Sequence, residues 1–540
     1  MADAEPHAPA SDADLADSSA AEPTIALDGG VAWPAWAAVF ALTAGWLWLA
    51  AGLVDAGVGV GDEGVYLFDA ELAVQEGKLP YRDVFLAHPP LRVLAVGLLR
   101  SLGLPLASGK ALAALCTAAS AFLAAACAGR LAGQGRVAAS TAAVVAAGCW
   151  LGSPLVLETG AYLLGPELTT AGMLLALWLA LGGRWLGAGV ALSAAALSAS
   201  YGLLALPALA LLAARSATPG RAQLRLAAGL ALWLAISAGL DLWSDGAYFD
   251  QTVRFHLGKL IGGGEAVGGD LSGATANVTP PWPSGRLLAA LRGEALTLTV
   301  AALSILGVFW AARRQRNGRG AALWVAIGAV AALLPVLLYR SFAGYYLVGP
   351  LALAAVVAGG GLGAAMAAMP SRTSRLGLSA ALGALFALQA GPAVDAADSR
   401  RIYAPVVAAE LDALAAQVVA KAPGSRRLFG DTAVTPALAL RLGWPISGDL
   451  VDTNDKRFAA GNLRSADVIA LLERERPGLL LVPHHGVFRV HALRRYVEER
   501  YVAVAWHHAV AIGYDVVYLL PAAETQQRLP AAPARPTLGP

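Results

Sequence analysis

Charge is what this sequence has least of. Only 14% of its 540 residues are Asp, Glu, Lys or Arg, against roughly 25% in soluble domains. Hydrophobic residues make up 57% and the mean hydropathy is +0.60, the composition of a polytopic membrane protein. A net charge of +2 gives no electrostatic footprint for nucleic acid. Cysteine is nearly absent too: Cys116, Cys127 and Cys149 all lie inside apolar runs without metal-ligand spacing, which excludes a disulfide framework or zinc motif. The first 30 residues hold no Lys or Arg. Lacking a basic n-region they do not read as a cleaved signal peptide, and their Ala, Asp, Glu, Ser and Pro content predicts a disordered tail over 1–32. No GxGxxG carries a strand into a helix, and the C-terminal part offers no Ser-His-Asp or Cys-His arrangement above chance.

Apolar runs are what the chain has in quantity. A transmembrane helix needs about 20 mostly apolar residues, and candidates fall at 33–54, 109–129, 137–155, 163–182, 185–201, 202–214, 225–243, 294–311, 321–339, 345–367 and 376–394. The short runs 185–201 and 202–214 are either two half-length helices meeting at Ser200-Tyr201-Gly202 or one broken span, so the count is about eleven. Run 91–106 carries Arg92 and Arg100, breaks at Pro105, and reads as interfacial or re-entrant. Lys and Arg gather in the loops 130–136, 183–184, 215–224, 312–320 and 370–375, whereas 156–162 and the turn near 201 have none. The positive-inside rule makes the basic loops cytoplasmic. The N-terminal tail is then cytoplasmic, and 55–108, 244–293 and everything after 394 are extracytoplasmic.

From about residue 395 short apolar runs such as RRLFGD, GLLLVP, YVAVAW and YDVVYLL alternate with amphipathic stretches. That alternation predicts a small soluble α/β domain over 395–522 with a largely parallel sheet. The tail 523–540, with four prolines, reads as disordered. The pairs His484-His485 and His507-His508 lie on or after strands, where neighbours point to opposite faces, so neither pair alone makes a metal site.

One segment breaks the poverty of charge. GDEGVYLFDAELAVQEGKLPYRDVFLAHPPLRV, residues 61–93, holds Asp62, Glu63, Asp69, Glu71, Glu76, Lys78, Arg82, Asp83, His88 and Arg92. On a plain reading Asp62 is a helix N-cap, Gly77 the C′ residue and Pro80 the stop. Val65, Phe68 and Leu72 then form an apolar stripe, and the charges are the wet face of a helix lying on the membrane.

The same segment, written [DE]-E-x-x-Y, an amphipathic helix ending in Gly, then L-P-Y-R-D-x-F-x-x-H-P-P-L, resembles the first extracytoplasmic loop of GT-C glycosyltransferases. These integral-membrane enzymes take sugars from polyprenyl-phosphate carriers and include the protein O-mannosyltransferases, the lipid A aminoarabinose transferase and lipopolysaccharide galacturonosyltransferases. The layout of spans followed by an extracytoplasmic α/β domain also looks like that superfamily. The resemblance implies an α-helical polytopic, GT-C-like domain over 33–394 in the inner (plasma) membrane. It implies inverting transfer from a polyprenyl-phosphate-linked sugar donor to a glycolipid, glycan or protein acceptor.

Asp62 matches the loop carboxylate taken as base or acceptor-orienting group, and Glu63 is its acidic neighbour. His88 stands before Pro-Pro, where many relatives carry a Lys that contacts the donor phosphate. A histidine, with a pKa of about 6.5, is only partly charged at neutral pH unless a phosphate raises it. Several relatives place a metal-site Glu where this chain has Ala87, so use of a divalent metal, Mg²⁺ or Mn²⁺, is left open. Glu167, in AYLLGPELTTAG, resembles the second acidic residue of the superfamily, with Glu158 competing in the same loop. Arg340, in YRSFAGYYLVGP, resembles the start of an Arg-x-x-x-x-His-Tyr-Tyr segment, with Gly344 in place of His. It either binds the donor phosphate or snorkels at the interface. Tyr66, Arg82 and Asp83 complete the substrate-binding set in the first loop. Arg254 and His256, in YFDQTVRFHLGKL, either contact phosphate or sugar or belong to a solvated amphipathic helix.

The chemistry asks for the same residue types. Displacing a polyprenyl phosphate from an anomeric carbon needs a carboxylate for the acceptor's proton and cations for the developing phosphate charge, which count for more where lipid half-shelters the site. A lipid or sugar transporter or flippase is the competing reading, and it expects mid-span charges, inverted repeats and broken helices. Only the break near Ser200 favours it. A non-catalytic receptor, the third reading, would leave the loop carboxylates dispensable.

Overall fold

Apolar, small-residue-rich runs fold as helices because in lipid every backbone polar group must be satisfied within its own segment. The computed structural model describes residues 30–55, 59, 61–133, 135–257, 285–314, 320–338, 343–369, 404–420, 426–483, 490–509 and 514–521, with isolated positions between 371 and 398. Most of both expected tails, nearly all of candidate span 376–394, Arg340 and His484-His485 lie outside the described residues. Within them, Trp33–Val54, Ala107–Leu131, Pro219–Trp243, Ala321–Leu338 and Gly344–Ala368 are long and apolar enough to cross a membrane. Leu287–Gly293 and Thr297–Leu306 form a bent pair that adds a sixth if it is one span. Arg136–Leu151, Pro166–Leu181, Trp185–Ser198 and Ser200–Ala214 are apolar but shorter.

Two interruptions explain the short helices. The expected run 137–155 splits into α5 (Arg136–Leu151) and α6 (Pro154–Thr159). Ser153 caps α6 by accepting from the Val156 amide, and buried Glu294 accepts from the Ser153 hydroxyl at 2.7 Å and the Leu155 amide at 2.9 Å. At the second, α8 (Trp185–Ser198) gives way to a 3₁₀ turn, Ser200–Ala205, before α9 (Leu206–Ala214). A Cβ on Gly202 would lie 2.6 Å from the Ala195 carbonyl carbon, so this turn folds back against the end of α8. Glycine also lets α8 and α10 (Pro219–Trp243) touch, since a Cβ on Gly189 would lie 2.8 Å from Gly229 Cα, the small-residue packing expected in lipid.

The first loop begins with α2 (Asp62–Gln75). Its N-cap is Gly61, with φ 79°, and Asp62 is the first helical residue, which corrects the N-cap expected at Asp62. Gly77 does take the left-handed conformation (φ 67°) just beyond the C-cap Glu76. The wet-face reading is also corrected: Glu63, Tyr66 and Asp69 are buried along with Val65, Phe68 and Leu72. α3 (Leu91–Ser101) buries Arg92, Val93 and Val96 and exposes Leu94, Leu98 and the following Leu102, an amphipathic pattern suited to an interface.

What covers α2 is the C-terminal part of the chain. Strands β1 (Leu428–Gly430), β2 (Leu479–Pro483), β3 (Tyr501–Ala509) and β4 (Tyr514–Pro521) form one sheet in the order β1-β2-β4-β3. Only β1 and β2 are parallel; β4 runs antiparallel to both its neighbours, so the expected largely parallel sheet is corrected to a mixed one. Positions 510–513 alone separate β3 from β4, far short of the dozen or so residues a parallel crossover needs. Alternation along β2 sends Leu479 and Leu481 into a core shared with α2, the helix over 404–420 and the helix Thr435–Leu442. Leu480 joins Phe429 against the helices Ser465–Glu475 and His491–Arg500 on the other face. The Gly61 amide donates to the Ala433 carbonyl at 2.8 Å, Lys78 pairs with Asp449 at 2.9 Å, and Asn462 donates to Asp250 at 2.6 Å.

Candidate active site around the first loop

Asp62, Tyr66 and Asp69 recur at i, i+4 and i+7 and so share one face of α2. At its start the Tyr345 hydroxyl donates to the half-buried Asp62 carboxylate at 3.1 Å. Tyr345 and Tyr346 open the last long apolar helix, with their rings 4.7 Å apart.

Beside this face sits Arg92, which enters α3 immediately after Pro89, Pro90 and Leu91 and is almost completely buried. Its guanidinium lies 3.6 Å from the centre of the Tyr66 ring. Nε, Nη1 and Nη2 have no hydrogen-bond partner among the described residues. Gly165 makes room for it: φ is +104°, and a Cβ there would sit 2.9 Å from Arg92 Cζ and 3.1 Å from the Tyr201 hydroxyl. The Gly165 amide donates to Glu167 Oε2 at 3.0 Å, while Glu167 Oε1 and the Tyr201 hydroxyl are buried and unpartnered. Burial pushes the Tyr66 phenol above its ordinary value, against the pull of Arg92, so it stays neutral. Unsatisfied buried polar atoms are rare and costly; here a guanidinium that can donate to an anion converges with a carboxylate oxygen and a phenol that can bond neighbouring hydroxyl groups.

His88 and His256 come together from two loops far apart in sequence. The His88 ring is buried, edge-on to Tyr66 at 6.0 Å and 5.0 Å from the His256 ring. His256 Nε2 contacts the Ala87 carbonyl at 2.7 Å. Tyr81, held at a positive φ of 70°, donates its hydroxyl to the His88 carbonyl at 2.8 Å. Gln251, in the π-helical turn Asp250–Arg254, accepts from the Leu86 amide and donates to the Tyr81 carbonyl, stitching the loops together.

Other expected residues stand apart. Arg82 is exposed over Trp243, exposed Asp83 accepts from the Leu79 amide and closes a turn, and Arg254 is 80% exposed and paired with Asp250. Glu63 is buried with both oxygens engaged, accepting from the Gly59 amide at 2.7 Å and the Leu163 amide at 3.0 Å, with Lys110 at 3.7 Å. Of the two competing acids, Glu167 faces the site and Glu158 is exposed.

Sequence reasoning missed Arg92 as a site residue, although it lies four positions after His88, because the apolar run around it reads as an interfacial helix. It also missed Asp69, whose two carboxylate oxygens are buried and unpartnered. Burial and the nearby Asp452 hold the Asp69 carboxyl well above the usual range, opposed by Arg457 and Arg92. Arg457 is buried, stacked 3.8 Å from the Phe85 ring centre, and donates to the Asp452 carbonyl. Burial lowers its pKa to about 10.

Among the described residues no group of three or more His, Cys, Asp or Glu is arranged to hold a metal ion. Near Ala87 the described residues offer two imidazoles, His88 and His256, which do not by themselves complete a three-ligand set.

No family model matches the chain, and no curated protein matches it. Solved structures do. ArnT from Cupriavidus metallidurans in the apo state is 16% identical, with a TM-score of 0.55, over 90% of this chain and 98% of that one. The archaeal oligosaccharyltransferase AglB from Archaeoglobus fulgidus, in complex with an inhibitory peptide and a dolichol-phosphate, is 12% identical, with a TM-score of 0.50, over 92% of this chain and 75% of that one. At these identities the likeness is one of fold, and it extends over nearly the whole chain.

Proposed function

We propose that this chain, which has the fold of the GT-C superfamily, is a membrane glycosyltransferase. It moves a sugar from a polyprenyl-phosphate donor to a glycolipid, glycan or protein acceptor on the extracytoplasmic face of the inner membrane. The observation that carries the reading is the buried Arg92 guanidinium, 3.6 Å from the centre of the Tyr66 ring, with no hydrogen-bond partner for any of its three nitrogens among the described residues. A fixed, planar fork of donors suits a phosphate, and the AglB structure holds a lipid phosphate of this class.

In the proposed reaction Asp62 takes the acceptor hydroxyl's proton while its oxygen attacks the anomeric carbon. The bond from that carbon to the phosphate oxygen breaks, the electron pair leaves with the polyprenyl phosphate, and the anomeric configuration inverts. Arg92 offsets the developing charge, with His88 once the phosphate favours its protonated form. Arg340 remains a further phosphate ligand in this proposal. Tyr345 fixes the Asp62 carboxylate, and the free Glu167 oxygen and Tyr201 hydroxyl face the transferred sugar. Glu63, with both oxygens in use, positions α2 rather than touching substrate. The break at Ser200 delivers Tyr201 to the Arg92 cluster.

The test is sugar transfer from radiolabelled polyprenyl-phosphate sugars by membranes holding wild type or Asp62→Asn at equal expression, with and without EDTA. Loss of about 10²- to 10⁴-fold in the variant is expected for a general base. Equal transfer by the variant removes Asp62 from the chemistry, and no transfer by wild type from any donor returns weight to a carrier.

A further inference from the structure

A second group of buried polar atoms lies on the same face of α2, toward the C-terminal sheet. Asp69 is 1% exposed and Arg457 5% exposed, and among the described residues neither Asp69 oxygen nor Arg457 Nε has a hydrogen-bond partner. Asp452 is half-buried; the Thr432 hydroxyl and the Asn454 amide both donate to its Oδ1, leaving Oδ2 clear of those bonds. Asn462 keeps a buried, unpartnered Oδ1 while its amide nitrogen donates to Asp250. The protein has closed around these atoms without satisfying them, and the cost of that burial points to a ligand that does.

We propose that Asp69, Asp452 and Arg457 form a second subsite that binds the hydroxyl groups of a sugar, so that the C-terminal α/β unit supplies part of the binding site. The charge balance selects hydroxyls. Burial and Asp452 hold Asp69 toward its protonated form and Arg92 is assigned to the donor phosphate, so the charges left to balance are Asp452 against Arg457. That balance removes the demand for a metal ion or an ammonium group and leaves a demand for neutral hydrogen-bond donors. A vicinal diol donates to a carboxylate and accepts from a guanidinium at once, which matches the free atoms here. Asp69 follows Asp62 by seven positions, about 10 Å along the helix, a separation that a sugar bridges. The proposal rests on the glycosyltransferase reading only for the source of that sugar, the donor or the acceptor.

The experiment measures binding to the full chain in nanodiscs by thermal shift and titration. The probes are undecaprenyl phosphate without sugar, the same lipid carrying a sugar, a panel of methyl glycosides, ethanolamine and MgCl₂. Wild type is expected to bind at least one methyl glycoside or to prefer the sugar-bearing lipid. Asp69→Asn and Asp452→Asn should weaken the sugar-dependent part about tenfold or more, as for a lost charged hydrogen bond. Both should leave undecaprenyl phosphate within about twofold of wild type. Weakening confined to the sugar-bearing lipid assigns the subsite to the donor, and weakening of the free glycoside assigns it to the acceptor. No sugar-dependent binding by wild type, equal loss for sugar-free and sugar-bearing lipid, or ethanolamine or Mg²⁺ binding lost in the same variants overturns the proposal. If Asp69→Asn does not fold, half-buried Asp452→Asn decides. A wild type that binds glycoside but not undecaprenyl phosphate defeats the glycosyltransferase reading and leaves the subsite standing.

Discussion

Arg92 and Glu63 are both buried charges, yet they predict opposite responses to substitution. Glu63 is bonded to two backbone amides and faces Lys110, so Glu63→Ala should strand that ammonium and cost about 3–5 kcal/mol, read as a fall in melting temperature without ligand. Arg92 has no hydrogen-bond partner among the described residues, and a buried donor left unsatisfied costs its full desolvation penalty, which an apolar side chain of similar length does not carry. Arg92→Met should therefore melt no lower than wild type while losing the thermal shift given by undecaprenyl phosphate. A destabilised Arg92→Met that keeps the shift would make the guanidinium structural. Gly165→Ala should copy the binding defect without removing any polar group, because its φ and the guanidinium behind it leave no place for a methyl. The sequence singled out Asp62 and His88 from the loop motif and Glu167 from AYLLGPELTTAG, and the fold brings all three near α2. Arg92 was not singled out, because its burial depends on Gly165 and Tyr201, far along the chain, and hydropathy sees only its leucine-rich neighbours.

At the scale of elements, α2 joins the site to the α/β unit. Its charged sequence reads as a helix with a wet face, and packing by segments far along the chain, the helix Thr435–Leu442 and the helix over 404–420 among them, helps turn that face inward. Long apolar helices were legible from their length, and the break at Ser200-Tyr201-Gly202 from its turn residues. The mixed sheet was not, since strand order is set by contacts between runs rather than within them. At Gly64 α2 packs directly on the α/β unit, since a Cβ there would lie 3.3 Å from the Ala437 amide nitrogen. Gly64→Leu should thus separate the two, and hydrogen exchange should rise together in 61–76 and in 428–442 while the spans α4 (Ala107–Leu131) and α5 stay protected. A rise confined to α2 would mean that the two elements are not one cooperative unit.

For the whole molecule, the contacts of the site fix which ends of the helices lie together. Lys110 at the start of α4, Glu167 at the start of α7 (Pro166–Leu181), Tyr201 after α8 and Tyr345 at the start of its helix all gather near α2. The opposite ends carry the arginines: Arg130 over Trp178 at 4.5 Å and Arg215 over Trp324 at 4.5 Å, cation and aromatic pairs of the kind that anchor helices at an interface. Site and basic loops therefore belong to opposite faces of the bundle, and the α/β unit, bonded to α2 through Gly61–Ala433 and Lys78–Asp449, must share the side of the site. The expectation from the positive-inside rule is that this side lies outside the cytoplasm. With the three native cysteines replaced by alanine, Ala466→Cys on the α/β unit should react with a membrane-impermeant maleimide in intact spheroplasts. Ala217→Cys, in a basic loop, should react only after permeabilisation. Labelling of both before permeabilisation, or of Ala217→Cys alone, would invert or abolish this sidedness. The donor phosphate would then have to be met from the cytoplasmic leaflet, and the assignment of Asp62 to extracytoplasmic chemistry would fall with it.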